Sequence, residues 1–255
     1  MIPRIGIAGI TGRMGRLLVE EALASGMDVV GGTARNPVPA SDIAHFADAT
    51  ALAAACDVLI DFTNAHAVIG HARAVAAGGC AWVLGTSGLS VADEAAVAMA
   101  AQKVAVVYAP NFSPGVNLAL ALAERMAAAL PADSYDAEIV EMHHRQKVDA
   151  PSGTAIGLGR AVARGRGVNL EDVMESGRNG HVGARKPGAI GFAALRGGQV
   201  VGEHTLIFAA GTEHIELTHR AYDRRAFATG AVRAARWARG QKPGLYSMMD
   251  VLGMA

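Results

Sequence analysis

The sequence predicts an α/β protein in two parts, and three observations carry that prediction. Through the first 112 residues, short apolar segments alternate with alanine-rich stretches of helical length, the pattern of a parallel sheet covered on both faces. Beyond Pro110-Asn-Phe-Ser-Pro114 the pattern changes, and strand-like segments follow one another across glycine turns, which points to a mostly antiparallel sheet. Residues 225–239 then revert to an alanine-rich amphipathic helix with Trp237, followed by a short apolar tail over 244–252. Both are expected to return to the first part. The fold class is therefore a Rossmann-like doubly wound parallel sheet plus a second α+β domain with a mostly antiparallel sheet. The expected division is 1–112 with 225–255, a dinucleotide-binding domain, and 113–224, a domain for substrate and oligomerisation. Two chain crossings, near 112–116 and 222–225, would act as a hinge.

The first strand is Ile5-Gly-Ile-Ala-Gly9, and the helix after it is marked by Leu17, Leu18, Glu21 and Ala22. Between them lie Gly9, Gly12 and Gly15, spaced GxxGxxG, with Thr11 where the commonest dinucleotide fingerprint has its second glycine. Gly9 permits the tight turn, Gly12 lets backbone approach a pyrophosphate, and Gly15 lets the helix pack close to the strand. Further strands are predicted over 27–32, 57–62, 81–84 and 104–108, with helical patterns between them. They end in Gly31-Gly-Thr-Ala-Arg35, Asp61-Phe-Thr63, Gly85-Thr-Ser-Gly88 and Ala109-Pro-Asn-Phe-Ser113. Ligands of open parallel sheets bind at the carboxyl ends of the strands, so these loops should line one crevice. The second strand closes with Ala34-Arg35 and no acid, which predicts NADPH as the preferred cofactor, with Arg35 on the 2′-phosphate and NADH as the alternative.

In the second part a helix over 116–130 is ended by Pro131, and a strand carrying Ala137, Ile139 and Val140 follows. That strand runs into Glu141-Met-His-His-Arg-Gln-Lys-Val-Asp-Ala-Pro-Ser-Gly-Thr-Ala155. A strand alternates faces, so His143 and His144 point apart unless the strand has ended. One is expected to react and the other to support or touch substrate. Lys147 adds a fixed positive charge on a long stem, and Ser152-Gly153-Thr154 opens the next helix, over 154–163, with free N–H groups. For any one of these residues, a structural histidine or a solvated cation is the commoner role. Four potential cations within five residues repel one another, however, and the cluster points to a small anionic ligand. A metal site is the weaker alternative, because adjacent histidines lack i, i+4 spacing and no cysteine or carboxylate pattern completes a shell. After the Arg164-Gly-Arg-Gly167 stop comes a long loop over 179–191, then strands over 190–195, 200–208 and 214–220.

The 23 basic and 23 acidic side chains cancel, so no global field favours nucleic acid or a membrane surface. No apolar run reaches the roughly 20 residues needed to span a bilayer. The start runs straight into a strand and leaves no room for a signal peptide, and the two cysteines, Cys56 and Cys80, fit buried free thiols in a reducing compartment. A soluble cytoplasmic protein is expected.

The segments quoted above, together with Gly202-Glu-His-Thr205, resemble the dihydrodipicolinate reductase family over almost the whole chain and in the right order. The resemblance implies reduction of the cyclic product of aspartate semialdehyde and pyruvate to tetrahydrodipicolinate, on the route to diaminopimelate and lysine. It implies His143 as acid/base residue and Lys147 as second catalytic group, with His144, Gly153 and Thr154 on the substrate carboxylates. It places Gly9, Ile10, Thr11, Gly12, Arg13 and Met14, then Gly85, Thr86 and Ser87, then Ala109, Pro110, Asn111 and Phe112, on nucleotide-binding segments. It further implies a homotetramer formed through the second sheet. No metal is expected, from the residue pattern above. Family members commonly carry an acid with a basic residue after the second strand and use either cofactor; Ala34 replaces that acid here. Two other classes remain open. A semialdehyde dehydrogenase needs a nucleophilic cysteine, for which Cys56 and Cys80 are poorly set. A non-catalytic NADP-binding regulator would have no use for the His143, His144 and Lys147 cluster.

Overall fold

The computed structural model describes residues 2–35 and 43–254. The chain divides into two compact units, the described residues of Met1–Pro114 with Arg225–Ala255, and Gly115–Arg224.

The first unit opens with β1 (Arg4–Ala8), α1 (Arg13–Ala24), β2 (Asp28–Thr33), α2 (Ala49–Ala55) and β3 (Val58–Asp61). It continues with α3 (Ala65–Gly78), β4 (Ala81–Leu84), α4 (Val91–Ala101) and β5 (Ala105–Tyr108). The strands are four to six residues long, and β1, β3, β4 and β5 are buried on both faces, which is why they read as continuous apolar runs, while β2 at the sheet edge is half-buried. Alternation along each strand divides the core in two. Val58, Ile60, Val83 and Val107 join one apolar cluster, while Leu59, Trp82, Leu84 and Val106 join the other. Helix ends are set by local chemistry. Asp48 accepts from Ala51 N–H at the start of α2, and Ser90 with Asp93 forms a capping box at α4.

The second unit is built from α5 (Pro114–Ala129), which begins at the unit boundary, then β6 (Asp136–His143), α6 (Gly153–Arg166), α7 (Leu170–Val173), β7 (Met174–Ser176), β8 (Ile190–Arg196), β9 (Gly202–Ala209) and β10 (His214–Ala221). Its sheet runs β10-β9-β6-β8-β7. The pairings of β10 with β9 and β9 with β6 are antiparallel, whereas β6 with β8 and β8 with β7 are parallel. The sheet is thus mixed, where the glycine-turn pattern suggested mostly antiparallel strands. The long connection carrying α6 explains the difference, because a crossover of that length returns the chain parallel to β6. On β6 and β9 every second residue is buried, and Ile139, Phe192, Leu206 and Phe208 meet Ala155, Leu158 and Val162 of α6 in one core.

The chain then returns to the first unit with α8 (Arg225–Ala238), β11 (Gly244–Tyr246) and α9 (Met248–Leu252). The tail read simply as apolar contributes a sixth strand, β11, parallel to β5, giving the order β11-β5-β4-β3-β1-β2. Among the described residues no helix is long and apolar enough to cross a membrane. Helix α8 lies so close to the end of β5 that a Cβ at Gly230 would run into the Phe112 carbonyl oxygen. Gly230→Ala should therefore cost about 1–3 kcal/mol. It should lower the denaturant midpoint with an unchanged m-value; an unaltered midpoint would show that α8 shifts without penalty.

Candidate active site

Strand β6 places the first functional group. Its alternation puts Ala137, Ile139, Glu141 and His143 on the buried face, so the apolar side of the second sheet turns polar at its end. The neighbouring strands bring matching groups to that end, since Arg196 of β8 registers with His143 and His204 of β9 registers with Glu141. Glu141 is only 1 % exposed, and four donors hold it. Oε1 accepts from Arg196 Nη2 at 2.8 Å and Ser152 N–H at 3.1 Å; Oε2 accepts from Arg196 Nη1 at 2.9 Å and His143 Nδ1 at 2.6 Å. Burial works to raise this carboxyl, but the bonds from Arg196, His143 and Ser152 outweigh it and hold it below its ordinary value.

An ionised carboxylate only accepts, so the His143 bond assigns the proton to Nδ1 and leaves Nε2 as the atom that gains or loses one. Burial lowers the His143 imidazole below its usual value, with Glu141 opposing that shift. A Cβ at position 202 would stand 3.0 Å from His143 Nε2, so Gly202 leaves room at the reactive atom. His204 packs edge-on against His143, with centroids 5.1 Å apart, and its Nε2 lies 3.0 Å from Ser152 Oγ. The same hydroxyl accepts from Ala155 N–H at 3.2 Å and caps α6.

The remaining residues of the predicted cluster surround this network in sequence and on its loops. His144 follows the end of β6 half-buried, and its Nδ1 is buried without a partner. Gly153 and Thr154 form the first turn of α6. Lys147 donates from Nζ to Asp149 at 2.8 Å, so part of the expected cationic repulsion is relieved within the loop. The sequence reading gives no role to Glu141, Arg196, His204 or Asp149, and takes Ser152 only as part of the helix start. The available signal was Glu141-x-His143, an acid and an imidazole two apart on a strand and therefore on one face.

In the first unit a cavity of about 960 Å³ lies at the carboxyl ends of β1, β2 and β3, where the strand order switches between β1 and β3. Gly9, Thr11, Gly12, Arg13 and Arg35 line it, with His66 and His71 of α3. Gly9 takes φ of +72° in a turn closed by Gly12 N–H on its carbonyl at 2.9 Å, a conformation that suits glycine alone. A Cβ at Gly15 would strike that same carbonyl, so α1 starts with its N-terminus close above the turn. This bare-backbone cradle fits a pyrophosphate. Ile10 and Met14 instead turn their side chains into the core, leaving only their backbone for a nucleotide. Gly85, Thr86 and Ser87 follow β4 and Ala109, Pro110, Asn111 and Phe112 follow β5, outside the cavity lining. Buried Asp61 stiffens this rim, accepting from Thr63 Oγ1 at 2.7 Å and pairing with His71 Nδ1 at 2.7 Å. Cys56 and Cys80 are buried free thiols, and the hydrogen bond between them together with burial pushes Cys80 up, which does not suit a nucleophile. Among the described residues no group of three or more His, Cys, Asp or Glu side chains could hold a metal.

A Rossmann-type unit with a glycine cradle and a second unit with a histidine–carboxylate pair define a nicotinamide-dependent oxidoreductase. Family models narrow the class. That for the dihydrodipicolinate reductase N-terminus matches residues 3–112, and that for the C-terminus matches 115–252. The chain is 71 % identical over 255 residues to a 4-hydroxy-tetrahydrodipicolinate reductase of Granulibacter bethesdensis, covering 98 % of this chain and 97 % of that protein. It is 62 % identical to the reductase of the same name from Gluconacetobacter diazotrophicus, over 98 % and 97 % of the two chains. A solved structure of dipicolinate-bound dihydrodipicolinate reductase from Paenisporosarcina sp. TG-14 superposes with a TM-score of 0.82 at 25 % identity, covering 98 % of this chain and 99 % of that one. The chain belongs to the dihydrodipicolinate reductase family.

The buried histidines give the second unit a pH dependence. Burial, then the charge of His143, depress His204 to about 4. The unfolded chain therefore binds a proton at this residue that the folded chain refuses between about 6.5 and about 4. Stability is present above that window and is lost as pH falls through it, by roughly 3 kcal/mol from this residue. Denaturant unfolding from pH 7 to pH 4 should show a shallower loss in His204→Gln than in the wild type, and parallel curves would remove His204 from the effect.

Proposed function

We propose that the reductase chemistry of this family is carried out here with His143 Nε2 as proton donor. The activity is reduction of 4-hydroxy-tetrahydrodipicolinate, whose 4-hydroxyl group leaves as water, to tetrahydrodipicolinate in the diaminopimelate route to lysine. The single observation that carries the assignment is the 2.6 Å bond from His143 Nδ1 to buried Glu141, which leaves Nε2, with Gly202 beside it, as the proton-exchanging atom. The nicotinamide, when bound, supplies a hydride to the ring. As electrons move toward the ring nitrogen, a proton is required at the neighbouring carbon, and an imidazole is suited to deliver it near neutral pH. His143 is depressed by burial, and an anionic substrate beside it would restore its proton affinity. Lys147 acts as the second catalytic group by fixed charge, and His144, Gly153 and Thr154 hold the carboxylates by hydrogen bonds. The dipicolinate carried by the solved relative supports a small cyclic dicarboxylate as the ligand class.

The first unit is assigned the dinucleotide and the second the substrate. NADPH is the preferred cofactor and NADH the alternative, because Arg35, exposed on the cavity rim, supplies the charge for a 2′-phosphate where a carboxylate would exclude it. The enzyme acts in the cytoplasm as a homotetramer joined through the second sheet, whose outer edge β10 is largely exposed.

Oxidation of NADPH, with substrate generated in the assay by a separate synthase from pyruvate and aspartate semialdehyde, tests the activity. His143→Gln should lower kcat by roughly a hundredfold or more with cofactor affinity little changed; near-normal turnover would remove His143 from the acid role. Arg35→Ala should reduce kcat/KM with NADPH far more than with NADH, and unchanged discrimination would sink the 2′-phosphate assignment.

A further inference from the structure

We infer that Glu141 is the positioning residue of this site, its carboxylate locked by Arg196 and the Ser152 N–H so that it fixes the His143 ring with Nδ1 protonated and Nε2 free to exchange the catalytic proton. The inference rests on the reading of His143 as the acid.

Glu141 and Arg196 could form a purely structural tie between β6 and β8, and a bidentate pair would suffice for that. The geometry goes further. Arg196 engages both carboxylate oxygens, yet the shortest of the four bonds is the one to His143, at 2.6 Å. The plane of the carboxylate is fixed from two sides, by Arg196 from β8 and by Ser152 N–H from the loop before α6. The direction in which it accepts from His143 is therefore fixed as well. Arg196 is itself held by the Asp149 carbonyl at 2.6 Å and the Leu195 carbonyl at 2.6 Å. Turning the imidazole away would break its bond to Glu141, and His204 packs edge-on against the ring with centroids 5.1 Å apart. Positioning of this kind is worth rate, since small errors in placing a proton donor cost turnover steeply.

The charges facing His143 make the same point. Lys147, on the loop after β6, and Arg196, on β8, both oppose its protonation. His204 lies against it from β9, with His219 of β10 behind His204. Asp149 is engaged by Lys147. Glu141 is the carboxylate hydrogen-bonded to the ring, and it favours the imidazolium against these cations. Neutralising it should make His143 a weaker base.

The test compares kcat against pH for the wild type, His143→Gln and Glu141→Gln. Glu141→Gln should lower kcat roughly tenfold to a hundredfold, leave the KM for NADPH unchanged, and move the alkaline limb of kcat about one pH unit or more toward acid. A structural tie would lower the amount of folded enzyme without moving that limb. If His143→Gln retains normal turnover, the acid assignment itself fails and this inference falls with it. If His143→Gln is impaired and the limb of Glu141→Gln stays in place, the acid assignment stands and Glu141 is overturned as its positioning residue. Should Glu141→Gln fail to fold, nitrogen NMR of isotope-labelled histidine in the wild type decides, with the His143 signal identified by its loss in His143→Gln. A neutral ring protonated on Nδ1 supports the inference, and one protonated on Nε2 overturns it.

Discussion

The second unit depends on keeping one carboxylate ionised inside a sheet. Removing a charge from water costs several kcal/mol unless hydrogen bonds and an opposite charge replace the solvent. Glu141 receives both from three separate parts of the chain, β6 itself, the end of β8 and the turn before α6. The functional residues are thereby tied to the fold. Ser152 caps α6 through its hydroxyl and serves Glu141 through its N–H, so the helix start that presents Gly153 and Thr154 is registered to the strand that presents His143. Losing any one partner would leave a buried charge uncompensated, which penalises alternative arrangements of the loop from 144 to 152.

The first unit solves a different problem by subtraction. Its cavity is shaped by what glycine omits, at Gly9 for the turn and at Gly15 for the approach of α1. Backbone N–H groups at the start of α1 then face a site where a side chain would otherwise stand. Charge enters through Arg13 and Arg35, with Asp48 also on the lining. A chain with balanced formal charge thus concentrates charge locally, as arginines beside a helix start in the first unit and as the buried Glu141–Arg196 pair with His143 in the second.

Much of this was legible in the sequence, and the reasons differ between the units. In the first, strands of four to five residues buried on both faces stand out as unbroken apolar runs, and strand-end glycines mark the cavity. β11 and α9 escape, falling together in the apolar tail, because three and five residues carry too little of a period. In the second, β7 and α7 are as short and draw no assignment from the sequence. The mixed sheet was hidden because glycine turns report hairpins but not the parallel neighbour reached by a long crossover. The site divides in the same way. His143, His144, Lys147, Gly153 and Thr154 lie within the one stretch 143–154, so they stand out together in the sequence, and the family resemblance supplies their separate roles. Arg196 and His204 reach the same point from 55 residues beyond Glu141 and 52 beyond Ser152. Only strand register brings them there, and register is a property of pairing that a single sequence does not display.

The central claim is that Glu141 remains an anion in the folded protein. Carbon-detected NMR of labelled glutamate side chains, with the Glu141 signal identified by its loss on substitution, reads that state directly. The account predicts a carboxyl signal that stays in its ionised position while the exposed glutamates titrate through their ordinary range. A Glu141 signal titrating at or above that range would mean a carboxylic acid donating to His143 Nδ1, and would contradict the account from its base.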